Sequence, residues 1–340
     1  MSSVPGRFAL DELPPQDDGE PREPGDGHGL RGTGRLGDRL FGGAALGAGV
    51  LVMAIVALVA VFLIAQAVPS LLNNEANFLT SREWVPSGAN PRFGILDLFW
   101  ATLVTSVIAM VVAVPLGVAV ALFITQYAPP WLSRPAAATI DLLAAVPSIV
   151  YGFWGLTVAG QYFEPVANGI QRVLGWIPFF ADDGFSAKST LAFAGLILAI
   201  MILPIVTAIS REVFAQVPTA HKEGALALGA TRWEMIRVAV LPFGASGVVS
   251  GAMLGLGRAL GETLAVMILL SGLSDSAPWN WSIFNGGATF ASKIALNAGE
   301  FDSPQKTGAY IAAGLVLFVL TFVVNAAARV VISRRKAFTE

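Results

Sequence analysis

Apolar residues collect in six blocks, at about 41–68, 98–126, 136–160, 189–210, 244–271 and 307–332. Each block is near or above the ~20 residues that a helix needs to cross a bilayer. A soluble chain of 340 residues could bury a core, but it would spread its charges; here 55% of residues are hydrophobic, 13% are charged, and the charges lie mostly between the blocks. The fold class read from this pattern is all-α and integral to a membrane, with six transmembrane helices over residues 41–332. Residues 1–40 form a polar tail rich in Pro, Gly and acidic residues, expected to be disordered. That tail is too long and acidic for a signal peptide. Residues 333–340 form a short second tail.

Lysine and arginine set the orientation. With six spans and an inside N-terminus, fourteen basic residues fall on inside segments and six on outside ones, with Arg258 within the membrane. Both termini are therefore expected in the cytoplasm of a bacterial cell. The net charge of −2 and the lack of a basic arm give no reason to expect a nucleic-acid partner. The chain has no cysteine, which excludes disulfides and thiolate metal sites, and its two histidines lie outside the spans, at His28 and His221.

One span carries charge. Arg258 and Glu262 sit in Gly257-Arg258-Ala259-Leu260-Gly261-Glu262-Thr263, within the otherwise uncharged run from Gly244 to Ser271. An arginine at that depth costs roughly 2.5–3.5 kcal/mol on insertion scales, so such residues usually line a polar path. On a helix the two are i and i+4 and share one face, where each can partly neutralise the other. An anionic substrate is the reading, with Arg258, Glu262 and Thr263 on its path. Gly247, Gly251, Gly255 and Gly261 let neighbouring helices approach closely. Pro115, Pro147 and Pro204 each interrupt a crossing, and three together point to helices packed around a cavity that re-satisfies the freed carbonyls.

The polar loop at about 211–243 contains two helix signatures. Pro218-Thr219 opens the first, with Thr219 as N-cap, and Gly229 stops it; Thr231-Arg232-Trp233-Glu234 reads as a capping box opening the second, which ends near Leu241. The apolar residues Leu226, Leu228, Trp233, Met235 and Ile236 have two readings. They either fold back on the bundle or dock another subunit.

Glu223-Gly224-Ala225, three residues, Gly229, nine residues and Ala239-Val240-Leu241-Pro242 resemble the E-A-A-x3-G-x9-I-x-L-P loop of ABC importer permeases, with Gly224 and Ala239 as departures. Three further stretches are similar to the phosphate-specific members of that family: Phe78-Leu79-Thr80-Ser81 through Trp84, Ala145 to Gly155, and Gly255 to Thr263. The resemblance spans about residues 40–332. It implies the six-helix importer fold, with the loop as the coupling helix that seats on an ATPase. Glu223, Ala225, Leu228, Gly229 and Arg232 would make that contact, while Arg258 and Glu262 map onto the membrane charges linked to phosphate transport. The implied partners are an ABC ATPase dimer, a second permease of the sister phosphate type, an extracytoplasmic phosphate-binding protein, inorganic phosphate and the lipid bilayer. The outer segments, which contain Trp84, Trp279 and Trp281, would receive the binding protein; interfacial anchoring is the simpler reading of the tryptophans.

No G-x-x-x-x-G-K-[ST] occurs, nor even a Gly-Lys pair, so the chain has no P-loop and is not expected to be an enzyme. It is expected to hold no cofactor; ATP and Mg would be bound by the partner ATPase. Glu262 has two readings, either accepting a hydrogen bond from protonated phosphate and repelling sulfate, or holding Arg258 when the path is empty. The alternatives in function are an ABC permease for another oxyanion or solute, and a proton-coupled carrier using Glu262. Asp141, near the inner end of the third span, reads as a boundary residue or a contact to the loop region.

Overall fold

The computed structural model describes residues 35–181, 184, 186–270 and 280–336. Most of the expected tail and Trp279 therefore lie outside the described residues. By contacts the chain divides at Leu58, and each part is taken by itself. The first contains the opening turns of helix α1 (Arg35–Leu72), whose side chains are exposed from residue 37 to Leu58. This helix begins inside the segment assigned by composition to the tail, because Arg35-Leu36-Gly37-Asp38 leads into the apolar run with an acid in its first turn.

The second part, from Val59 on, is an all-helical bundle with one short hairpin. Strands β1 (Trp84–Val85) and β2 (Arg92–Phe93) pair antiparallel. Helix α2 runs over Leu96–Leu122 and ends in a π turn at Phe123–Tyr127; α3 covers Pro130–Ala144. Next come α4 (Ser148–Trp154), a π turn at Gly155–Ala159 and α5 (Gly160–Leu174). Helix α6 spans Leu191–Ala215, and the polar loop contains α7 (Thr219–Ala227) and α8 (Arg232–Met235). A π turn, Ile236–Val240, leads into α9 (Leu241–Leu260), followed by α10 (Leu264–Leu269), α11 (Phe290–Leu296) and α12 (Pro304–Lys336).

Five helices among the described residues are long and apolar enough to cross a membrane, and a sixth span exists if α3 and the Ser148–Leu174 run count as one. Those two are bent by 93°. The third block is thus not a single rod over 136–160. Pro147 has no N–H to continue α3 and pushes Val146 out of helical geometry. The Tyr151 hydroxyl then donates to the Leu143 carbonyl at 2.9 Å, tying the two sides of the corner. Pro115 and Pro204 lie inside α2 and α6, which continue through them.

Helix α6 is the most buried span and packs between α2 and α9. Close approach is paid for in glycine. A Cβ at Gly117 would lie 3.0 Å from Val206, and one at Gly195 would press into Ile108 at 2.7 Å. On α9, a Cβ at Gly247 would collide with Val213, at Gly251 it would lie 3.1 Å from Ile209, and at Gly255 3.2 Å from Val206. Gly244 is placed the same way against Phe214. Where no apolar driving force separates protein from lipid, such contacts hold helices together by van der Waals packing.

The outer aromatics are packed. Trp84 stands edge-on to Phe93 at 5.9 Å, lies 5.3 Å from Tyr310, and has the Lys293 ammonium 5.6 Å above its ring. Trp281 meets Trp100 edge-to-face at 4.9 Å.

Candidate functional site

Helix α9 ends at Leu260, with Gly261 at its C-cap, and the chain restarts as α10 only at Leu264. Arg258 and Glu262 are therefore not neighbours on one helix face, and no ion pair joins them. The physical reason lies in the Gly-x-x-x-Gly frame. Gly261 tightens the last turn, its N–H reaching the Gly257 carbonyl at 3.4 Å while Glu262 N–H reaches Ala259 at 3.4 Å. Both bonds are long, and glycine holds no side chain that would favour continuing the helix. Gly261 is exposed, and a Cβ there would meet only the Gly257 carbonyl at 3.6 Å, so it terminates α9 rather than packing a neighbour.

Glu262 turns inward. It is only 8% exposed, and its Oε1 accepts from the Ala265 N–H at 3.2 Å, capping the first turn of α10. Thr263 Oγ1 donates to the Gly261 carbonyl at 3.2 Å and closes the break locally. Arg258 turns the other way. Its side chain lines a groove of about 530 Å³ with Ile205 of α6, Ser250, Met253, Leu254 and Gly257 of α9, and Asn325 of α12. The guanidinium is half-buried there and has no ion-pair partner among the described residues. The groove is open rather than enclosed, so a solute in it would meet a planar fork of donors on a mostly apolar wall.

Two contributions escaped the sequence reading. Gly152 on α4 lets α10 dock, since a Cβ there would lie 2.9 Å from the Ala265 Cα. Asn325 of α12 lines the same groove as Arg258. The available signal was an amide in an apolar run for Asn325, and for Gly152 its place beside the Pro147 corner.

The polar hairpin is built as follows. Pro218, not Thr219, caps α7, its extended ψ of 135° setting the entry; Thr219 is the first helical residue. Gly229 has φ +83°, the left-handed geometry that favours glycine, and its N–H bonds to Leu226 while Ala230 N–H returns to Ala225. Thr231 and Glu234 form the reciprocal capping box, with Thr231 N–H on the Glu234 carboxylate at 2.8 Å. The second helix does not stop near Leu241. It passes through the π turn into α9 as one helix over Arg232–Leu260. Pro242 would clash with the carbonyl four residues back, and the wider turn before it makes room.

The apolar residues of the hairpin divide by position. Met235 and Ile236 are buried against Ala121, Phe214 and Val217, with Ala225 packed on the same cluster. Leu226, Leu228 and Trp233 remain exposed, Leu228 at 90%. Glu223, Gly229 and Arg232 are exposed as well, whereas Ala225 is half-buried. Asp141 of α3 pairs with Arg211 at 3.2 Å, fixing α3 to the end of α6 where the hairpin begins.

These features define a class: a multi-pass helical membrane protein with a charged groove at one end of a continuous helix and an exposed helical hairpin at the other. The chain belongs to the family described as binding-protein-dependent transport system inner membrane component, whose model matches residues 113–337. Among curated proteins it is 53% identical over 300 residues to the phosphate transport system permease protein PstC 2 of Mycobacterium tuberculosis, covering 87% of this chain and 92% of that one. It is 54% identical over 275 residues to PstC of Mycobacterium leprae, covering 80% and 86%. PstC of Mesorhizobium japonicum is 36% identical over 309 residues, covering 89% and 92%. The chain is a transport subunit and not an enzyme; ATP hydrolysis in such importers belongs to a separate subunit.

Proposed function

We propose that this chain is the permease subunit of an ATP-driven importer of inorganic phosphate, with the groove at Arg258 as its part of the substrate path. The observation that carries this reading is the unbroken helix Arg232–Leu260, which joins the capped hairpin to Arg258. At 1.5 Å per residue it is on the order of 40 Å long, enough to carry a displacement from one membrane face to deep within the other half. The hairpin is the contact for an ATPase dimer, through Glu223, Leu228, Gly229 and Arg232, with Ala225 setting its underside. ATP and Mg bind on that partner. A second permease closes the open side of the groove, and a phosphate-binding protein delivers substrate from outside. Both termini lie in the cytoplasm of a bacterial cell, a placement supported by the excess of lysine and arginine on the segments between spans that this orientation puts inside.

Arg258 offers paired donors to phosphate oxygens as the path alternates between faces. Glu262 acts through the backbone, holding the break after α9 so that Arg258 projects into the groove. The burial of the Glu262 side chain and the hydrogen bond from Ala265 N–H to its Oε1 support this role over contact with the substrate or with Arg258. The resemblance in named relatives supports phosphate over other oxyanions.

The test is reconstitution of the chain with its neighbouring subunits in proteoliposomes, with ATP inside and the binding protein outside. Phosphate uptake that needs ATP and is lost in Arg258→Gln is expected. Uptake that survives ATP depletion but collapses with the proton gradient would replace this reading by a proton-coupled carrier.

A further inference from the structure

A second cavity lies apart from Arg258. It is an apolar groove of about 440 Å³ between the end of α2 and the start of the α8–α9 helix, lined by Pro115, Val118, Leu122, Tyr127, Trp233 and Ile236 among others. Both walls contain a π turn, Phe123–Tyr127 on one side and Ile236–Val240 on the other. Such turns widen a helix by one residue and leave room beside it. The floor is fixed, since Ile236 is buried and Val118 and Leu122 pack on the cluster around Phe214. The rim is aromatic and exposed, with Phe123 at 48%, Tyr127 at 46% and Trp233 at 58%.

The charges beside it are mainly positive: the one acid in this turn, Glu234, has its carboxylate held by the Thr231 N–H and hydroxyl, each at 2.8 Å. Arg232 and Arg237 bracket the lining residues Trp233 and Ile236 in sequence, and Arg134 lies on α3, which packs on the Phe123–Tyr127 turn. All three arginines are exposed, and none has an ion-pair partner among the described residues. An apolar slot with a tyrosine–tryptophan rim, and with unpaired arginines next to its lining residues in sequence or on the helix packed against its wall, has the chemistry of an anionic phospholipid site, with the acyl chain in the slot and the phosphate toward the arginines.

We propose that this groove holds one acyl chain of an anionic phospholipid of the inner leaflet, with Arg237 and Arg134 at the headgroup. The assignment to the inner leaflet rests on the orientation given under the proposed function. A bound chain would wedge between α2 and the helix that leads to Arg258, so lipid composition would act on transport through that helix.

The assembled importer, purified from vesicles of phosphatidylglycerol and, separately, of phosphatidylcholine, is examined by native mass spectrometry. Retained phosphatidylglycerol is expected on the wild type, with little phosphatidylcholine. Ala119 also lines the groove; Ala119→Trp, which fills it, should abolish retention, and Arg237→Gln should lower it about five-fold, the factor for one membrane-facing arginine. Equal retention by wild type and Ala119→Trp overturns the proposal, as does equal retention of both lipids. Loss of the second permease in Ala119→Trp would make the groove a subunit contact and also overturn it. Intact ATPase association in the variants shows that they fold. Phosphate-stimulated ATP hydrolysis in the same wild-type sample separates the two readings: lipid retained without it would sink the phosphate reading alone.

Discussion

Glu262 and Arg258 stand four positions apart and serve different structures. Glu262→Gln keeps an oxygen that can accept from Ala265 N–H, so uptake should persist and the preference for phosphate over sulfate should be unchanged. Glu262→Ala removes the cap and should cost about 1 kcal/mol in stability, read as a lowered thermal midpoint in detergent. A loss of sulfate rejection in Glu262→Gln, measured by competition uptake, would return the carboxylate to the substrate path. Arg258→Lys retains charge but loses the planar fork. Its uptake should fall at least about tenfold at limiting phosphate, the effect of one charge-assisted hydrogen bond. The charged pair itself was legible in the sequence as a costly exception in an apolar run. Its geometry was not, because residues i and i+4 face each other only if the helix continues, and Gly261 reads equally well as a packing residue or a stop.

Helices and their ends show the same division. The Thr231–Glu234 box and the Gly229 stop were legible because capping is local chemistry, written within four residues. The corner at Pro147 and the fusion of α8 with α9 were not, since one depends on a hydroxyl reaching from Tyr151 and the other on a π turn before Pro242. The glycines of α9 separate by neighbour. Gly247→Leu should destabilise by about 1–3 kcal/mol by overpacking against Val213. Gly257→Ala has open space around it and should leave the thermal midpoint unchanged or slightly raised, because alanine favours a helix by up to ~1 kcal/mol. In the hairpin, Thr231→Ala should lower the yield of co-purified ATPase, since about 1 kcal/mol of capping is lost where the second helix begins.

For the molecule as a whole, block length and charge placement were enough to read an all-helical membrane chain. The count of crossings was not, because composition cannot distinguish a straight span from a bent pair. Nor could composition show which grease faces outward. Met235 and Ile236 are buried while Leu228 and Trp233 are exposed, and only packing decides between them. The groove beside Arg258 is likewise a property of three helices brought together, α6, α9 and α12. It is open rather than enclosed. An ion resting there keeps part of its water, and stripping the rest falls to whatever surface comes to face Arg258. With a second permease facing Arg258, as proposed, discrimination among anions is shared between two polypeptides, and exchanging that companion should alter cargo preference without any change in this chain.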